Sequence, residues 1–405
     1  MGMGCRVTSR IDVVVVLAMV TCAGGAVEAN AQAEPERQQF QAFGALAGKL
    51  PGSAGAWAMF SGDGKRILTG DLFEVRVWDS ATLRPMTEPL RHSGGIIPLG
   101  DARISDNGKM VVTVGSDGTA RIWDANTGAP LQVLRHRDDG IRFARFSPDA
   151  TRILTGGQDG QAKLWDVRTG REMLNLPLRG NVIYAVFSPD GTKILTISDR
   201  PKKDDRDWLE FEEACLWDAA TGHNIQRHNV VDAFWPQPAA FSPDGTKFVT
   251  PLDDKSVIVW DTRTGKHLVS VDAWTMVGET RVVSFGPKGE GLLTSAGFGV
   301  RLFSAQSGER IAEFKVRGDP AQAIFSPDGG RILTAGKPGQ VELWDAANGK
   351  ALGFLQLPGR PVKDEQLPDF DIPAIAFSPD GSEILVGDRV ANVTTVWKLA
   401  KAPQK

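Results

Sequence analysis

Residues 143–170 read FARFSPDATRILTGGQDGQAKLWDVRTG. The stretch opens on a strand that ends in Phe146 and runs into Ser147-Pro148-Asp149. Proline presets φ for the second turn position, and an aspartate after it bonds the backbone two residues on. RILTGG then supplies an apolar pair and a β-branched threonine, a composition that favours strand over helix. A short turn leads to a further strand closing on Leu164-Trp165-Asp166. Thr169-Gly170 starts another hairpin, because glycine accepts the positive φ that such a loop needs. The reading is four short strands, a to d, in about forty residues.

The phrase recurs along the chain. The turn aromatic or its equivalent falls at Phe60, Ile104, Phe146, Phe187, Phe241, Phe285, Phe325 and Phe377, and the closing aromatic at Trp78, Trp123, Trp165, Trp217, Trp260, Phe303, Trp344 and Trp397. Both series count eight. Strand b carries threonine at Thr69, Thr113, Thr155, Thr196, Thr250, Thr294 and Thr334, with Val386 the exception. Alanine sits two residues before the turn aromatic at Ala58, Ala102, Ala144, Ala185, Ala239 and Ala323, small enough for innermost strands to crowd an axis. A fixed period of this size means that one unit cannot bury its apolar faces alone and stacks against its neighbours.

With Trp123-Asp124, Trp165-Asp166, Trp217-Asp218, Trp260-Asp261 and Trp344-Asp345 as signature pairs, the chain resembles the WD40 family, in an exported, bacterial-type form. The resemblance implies an all-β fold, an eight-bladed β-propeller of four-stranded antiparallel blades, with seven blades as the alternative. It also implies closure by the N-terminus. Only Lys398 to Lys405 follow Trp397, too few and too polar for a good outer strand, whereas Phe40 to Leu50 belong to no other blade. That segment is expected to pair outside the last strand c. A further implication is a hydrogen-bonded set of His, strand b Thr, Asp and strand c Trp. Thr113, Asp117 and Trp123 fit it in blade two, and Thr155, Asp159 and Trp165 in blade three, with His92 and His136 as fourth members; all are expected to be structural.

Residues 1–31 read as a secretory signal: Arg6 and Arg10 precede the apolar run from Val13 to Val20, and cleavage after Ala29 or Ala31 fits the small-residue rule. Residues 32–39 are a short linker, 40–400 the propeller and 401–405 a tail. Export places the mature chain in the periplasm or outside the cell, with no membrane span left after cleavage and as a monomeric ring. Cys5 and Cys22 leave with the signal, so Cys215 has no intramolecular partner. A net charge of -3 gives no basic footprint, which excludes nucleic acid as the expected partner.

Function attaches where the copies differ. Two insertions stand out: Asp199 to Glu213 in the b–c connection of blade four and Pro358 to Pro373 in the d–a connection into blade eight. Strands alternate direction, so both connections emerge on one face. Arg206, Trp208, Glu210, Phe211, Trp235, Trp274, Asp369 and Phe370 are the candidates there for contacting a protein or peptide, since aromatic residues with nearby charges dominate interface energetics. The acid cluster from Asp204 to Glu213 lacks a glycine-turned ligand loop and reads as solvated surface rather than a calcium site. No metal, cofactor or catalytic residue is expected. The histidines are scattered, the SPD serines lack a strained nucleophile elbow, and the expected role is a non-catalytic scaffold. The alternative is a propeller enzyme of quinoprotein or hydrolase type. Turns such as Asp218 to Gly222 resemble part of the quinoprotein repeat, but the outer strands carry Leu131, Leu174, Ile225, Leu268, Ile311 and Leu352 where that family docks tryptophan.

Overall fold

The computed structural model describes residues 44–51, 57–71, 73–93, 95–96, 102–136, 140–199, 211–231, 239–251, 256–272, 280–296, 299–316, 320–336, 340–355, 357, 374–388 and 391–399. The expected signal, linker and tail lie outside them. Blade three shows how one repeat folds. Strands Ile141–Phe146, Arg152–Gly157, Gln161–Asp166 and Glu172–Pro177 pair antiparallel in chain order. The SPD turn closes as its chemistry dictates: the Ser147 hydroxyl donates to Asp149 at 2.5 Å, and the Asp149 carboxylate accepts the Thr151 N–H at 3.0 Å.

Eight such sheets form the ring, so the eight phrases count the blades. Seven are four-stranded and the first has three named strands. Its outermost segment still runs along strand c through bridges Trp78↔Pro85 and Val75↔Leu90. Pro85 and Pro89 lack the N–H groups a continuous ladder needs, which accounts for the gaps. The ring closes as expected. Gly44–Leu50 pairs antiparallel with Val393–Leu399, Gly44 opposite Leu399 and Leu50 opposite Thr394, and becomes the outer strand of blade eight.

The core lies between blades. Each of eight buried apolar clusters draws on two consecutive blades, and the last joins Leu385 and Val396 of blade eight to Ile67 and Trp78 of blade one. Strand b splits its apolar pair: Ile153 faces blade two and Leu154 faces blade four. Each such side chain contributes about 1.5–3 kcal/mol when fully buried, a gain that a lone blade forfeits. The alanines before the turn aromatic are buried as well, but against the preceding blade rather than simply around the axis; Ala144 packs with Val112 and Ile122 of blade two.

Candidate functional site

Titratable side chains are tied into this core first. In blade two the Trp123 indole donates to Thr113 Oγ1 at 2.8 Å, Thr113 Oγ1 lies 2.7 Å from His92 Nε2, and His92 Nδ1 lies 3.0 Å from Asp117. Blade three repeats it: Trp165 to Thr155 at 2.7 Å, Thr155 to His136 Nε2 at 2.9 Å, His136 Nδ1 to Asp159 at 2.9 Å. One proton assignment satisfies every atom: the threonine hydroxyl donates to Nε2, and the Nδ1–H of a neutral imidazole donates to the carboxylate. Burial pushes both histidines below their ordinary range, against the pull of the aspartates. Burial raises Asp117, but hydrogen bonds from Thr119 and His92 outweigh it and hold the carboxyl far below the usual range. Space for the ring is kept by Gly115, where a Cβ would fall within contact of His92.

An Asp–His–Thr relay has the connectivity of a hydrolytic triad. Here the nucleophile position is sealed. Thr113 and Thr155 are 0% exposed, and each hydroxyl already holds an indole and an imidazole. The tetrads stiffen the seams and reach no substrate. Six strand b threonines accept an indole N–H in this way, from Trp78, Trp123, Trp165, Trp217, Trp260 and Trp344. Blade eight reaches the same bond by another route. Val386 stands on strand b, and Trp397 donates instead to Thr395 at 2.8 Å, the residue directly across the ladder from Val386. Cys215 is equally sealed: burial pushes its thiol up to about 12. Among the described residues no three His, Cys, Asp or Glu groups gather as a metal site, and no helix is long and apolar enough to cross a membrane.

Of the sequence-predicted partner contacts, Arg206, Trp208, Glu210, Trp235, Trp274, Asp369 and Phe370 lie outside the described residues. Phe211 begins strand c of blade four, opposite Val231. The first insertion is therefore partly ladder: Ser198 pairs with Glu213 and Asp199 with Glu212, so the hairpin of blade four extends past the others. Glu213 departs from the solvated cluster in which the sequence placed it. It is buried, and the Arg227 guanidinium holds it at 3.0 Å. Extended pairing satisfies the backbone there, and the arginine neutralises the buried Glu213 carboxylate.

One exposed aromatic escaped the sequence reading. Phe73 lies in the b–c turn of blade one and is 69% exposed. The Asp71 carboxylate accepts the N–H groups of Phe73 at 2.7 Å and Glu74 at 2.8 Å, and Glu74 in turn holds Arg91 at 2.7 Å and Arg76 at 3.2 Å. The signal was Leu72-Phe73 standing where blades two and three carry Asp-Gly.

Comparison with known proteins agrees with this architecture. The sequence model described as "WD domain, G-beta repeat" matches residues 90–124, 128–166 and 228–261. The first two matches contain the two tetrads. The third begins at His228, whose ring stacks on Trp260 at 3.8 Å instead of joining a tetrad. Over 107 residues the chain is 31% identical to Telomerase protein component 1 of Rattus norvegicus and of Mus musculus, covering 26% of this chain and 4% of each relative. The chain thus spans about 4% of the length of those relatives. Serine-threonine kinase receptor-associated protein of Gallus gallus is 24% identical over 269 residues, 65% of this chain and 71% of that one. Among solved structures, the C-terminal WD40 domain of Sif2 superposes with a TM-score of 0.68 at 17% identity, covering 89% of this chain and 99% of that one. The computationally designed Ika8 protein gives 0.64 at 20% identity, covering 83% and 93%. Identities this low speak to fold alone. The chain is thus an eight-bladed β-propeller, similar to WD repeats in sequence over three of its segments and to a WD40 domain in shape.

Proposed function

We propose that the protein is an exported, non-catalytic scaffold that binds protein or peptide partners through the face where b–c and d–a connections emerge. The observation that carries this reading is Phe73, a large apolar side chain held out to solvent on a turn pinned by Asp71 and flanked by Arg76 and Arg91. Aromatic and arginine side chains on a rigid base are what interface hot spots are made of. By their position in the repeat the two insertions belong to the b–c and d–a connections, and Trp208, Phe211 and Phe370 are proposed to contribute to the same surface. WD40-type architecture, and a relative whose printed name is receptor-associated, point the same way.

The test is affinity capture with the tagged chain from a periplasmic or culture-medium fraction, run beside Phe73→Ala and a variant lacking residues 199–213. Loss of the same partner from both variants, with melting curves unchanged, is the expected result. An identical captured set from all three chains would remove this face as the binding surface. Export is read separately: the N-terminus of the exported chain should begin at residue 30 or 32, set by cleavage after Ala29 or Ala31.

A further inference from the structure

In three blades the first residue of strand b is an arginine that reaches across the seam. In blade three, Arg152 reaches blade four, where its guanidinium donates to the carbonyl oxygens of Gly191 at 2.8 Å and Ala219 at 3.4 Å and lies 5.4 Å from the centre of the Phe187 ring. Arg331 of blade seven donates to the Gly381 carbonyl of blade eight at 3.4 Å. Arg66 of blade one donates to Asn126 in blade two at 2.6 Å. In each case the guanidinium sits against the a–b or c–d turn of the following blade.

Blade eight has Glu383 at this position. The acceptors that blade one offers in the equivalent place, the Gly64 carbonyl and the Ser80-Ala81 turn, meet a carboxylate instead of a guanidinium, and a cavity of about 520 Å³ opens there. Asp63, Asp380 and Glu383 line it with Lys398 as the one cation among its described lining residues. Asp63 and Asp380 are already committed to their own turns, accepting from Ser61 and Lys65 and from Ser378 and Ser382. Glu383 is not. Its carboxyl makes no hydrogen bond or ion pair with a described residue, and burial pushes it above the ordinary range. A volume of this size falls within the span of small-ligand pockets.

We propose that this cavity between blades eight and one is a seat for a guanidinium group brought from outside, the arginine side chain of a peptide partner, with Glu383 as its counter-ion. The fold supplies the template three times over: at sibling seams the same place is filled in cis by Arg66, Arg152 and Arg331. A planar fork with five donors divides between a carboxylate and turn carbonyls, as Arg152 does with two carbonyls; a lysine ammonium is a point charge and makes a poorer match. The seat lies among a–b and c–d turns, at the end opposite Phe73, so it stands or falls independently of the scaffold face.

The experiment is calorimetric titration of the full chain, at low salt, with acetyl-Gly-Arg-Gly-amide and with its citrulline counterpart, which keeps the shape and loses the charge. Wild type should bind the arginine peptide saturably and ignore citrulline. Glu383→Gln should weaken binding by about tenfold or more, the scale of one charge-assisted hydrogen bond. Glu383→Arg should abolish it by filling the seat as Arg152 does, without lowering the melting temperature. Lys398→Ala removes the competing cation and should tighten binding, a gain that no unfolded variant can mimic. Absence of saturable binding to wild type, equal binding to Glu383→Arg, or equal binding of citrulline would each overturn the assignment.

Discussion

In blade eight a threonine has changed strands. Six other blades pair a strand b threonine with the indole of strand c, whereas here the hydroxyl comes from Thr395, two residues before Trp397 on its own strand. Because Val386 and Thr395 face each other across the ladder, the oxygen stays within reach of the same indole. Thr395→Val should therefore leave a buried N–H unpaired and cost about 1–3 kcal/mol in urea denaturation. Adding Val386→Thr to that variant restores the usual arrangement and should recover most of the loss; a double variant no more stable than the single one would refute the exchange. The seven-threonine series and its valine exception were legible in the sequence, since they follow the strand period. The compensation was not, because it depends on cross-strand register, which the sequence does not display. The tetrads of blades two and three were likewise readable from residue types, although the positions of His92 and His136 outside strand b hid the distances. Phe73 went unread for a different reason: its exposure depends on the hydrogen bonds Asp71 makes, and a Leu-Phe pair reads equally well as core.

At the scale of the element, ring closure rests on the strand Gly44–Leu50. Its pairing was predictable because Phe40 to Leu50 belong to no other blade. Its irregularity was not. The register shifts between Leu46 and Gly48, and a side chain on Gly48 would begin 2.3 Å from Leu83 Cδ1. Leu83 occupies the c–d turn position where other blades place glycine, and takes φ of 57° to do so. Its side chain packs onto the cluster that joins blades eight and one. A left-handed leucine is normally unfavourable by roughly 1–2 kcal/mol, and here it is offset by packing against the closing strand. Gly48→Val should force that leucine out and destabilise the ring by about 1–3 kcal/mol. Leu83→Gly in the same chain removes both the obstruction and the backbone strain, so its melting temperature should lie above that of Gly48→Val alone. Equal melting of Gly48→Val and wild type would mean that the strand closes the ring without this contact. The same seam, where the first and last described strands pair, holds the cavity beside Glu383.

Across the whole molecule, stability is shared among eight seams, and a change at one is felt by the ring because no blade keeps a core of its own. Two of those seams carry neutral histidines whose proton affinity is depressed by burial. The sign follows from linkage. Between the folded value and the unfolded value near 6.5 the unfolded chain binds more protons, so the stabilisation is complete above about pH 6.5 and is lost as pH falls through that window. His228, also depressed by burial, adds to the same slope from the seam of blades four and five. Asp117 acts lower: with its folded value depressed, its contribution is present above the unfolded carboxylate range near 4 and declines below it. The urea midpoint of wild type should accordingly fall between pH 7.5 and pH 5, and fall again below pH 4. A chain carrying His92→Gln and His136→Gln should start less stable at pH 7.5, because the Thr113 and Thr155 hydroxyls lose their imidazole partners. It should then show a shallower decline to pH 5, with the remainder assigned to His228. Hydrogen exchange at pH 5 places the effect: amides of strands Met110–Val114 and Arg152–Gly157 should lose protection before those of Arg331–Gly336, whose seam holds no histidine. A double variant with the full wild-type slope, or uniform loss of protection around the ring, would mean that groups other than the two tetrads set the acid sensitivity.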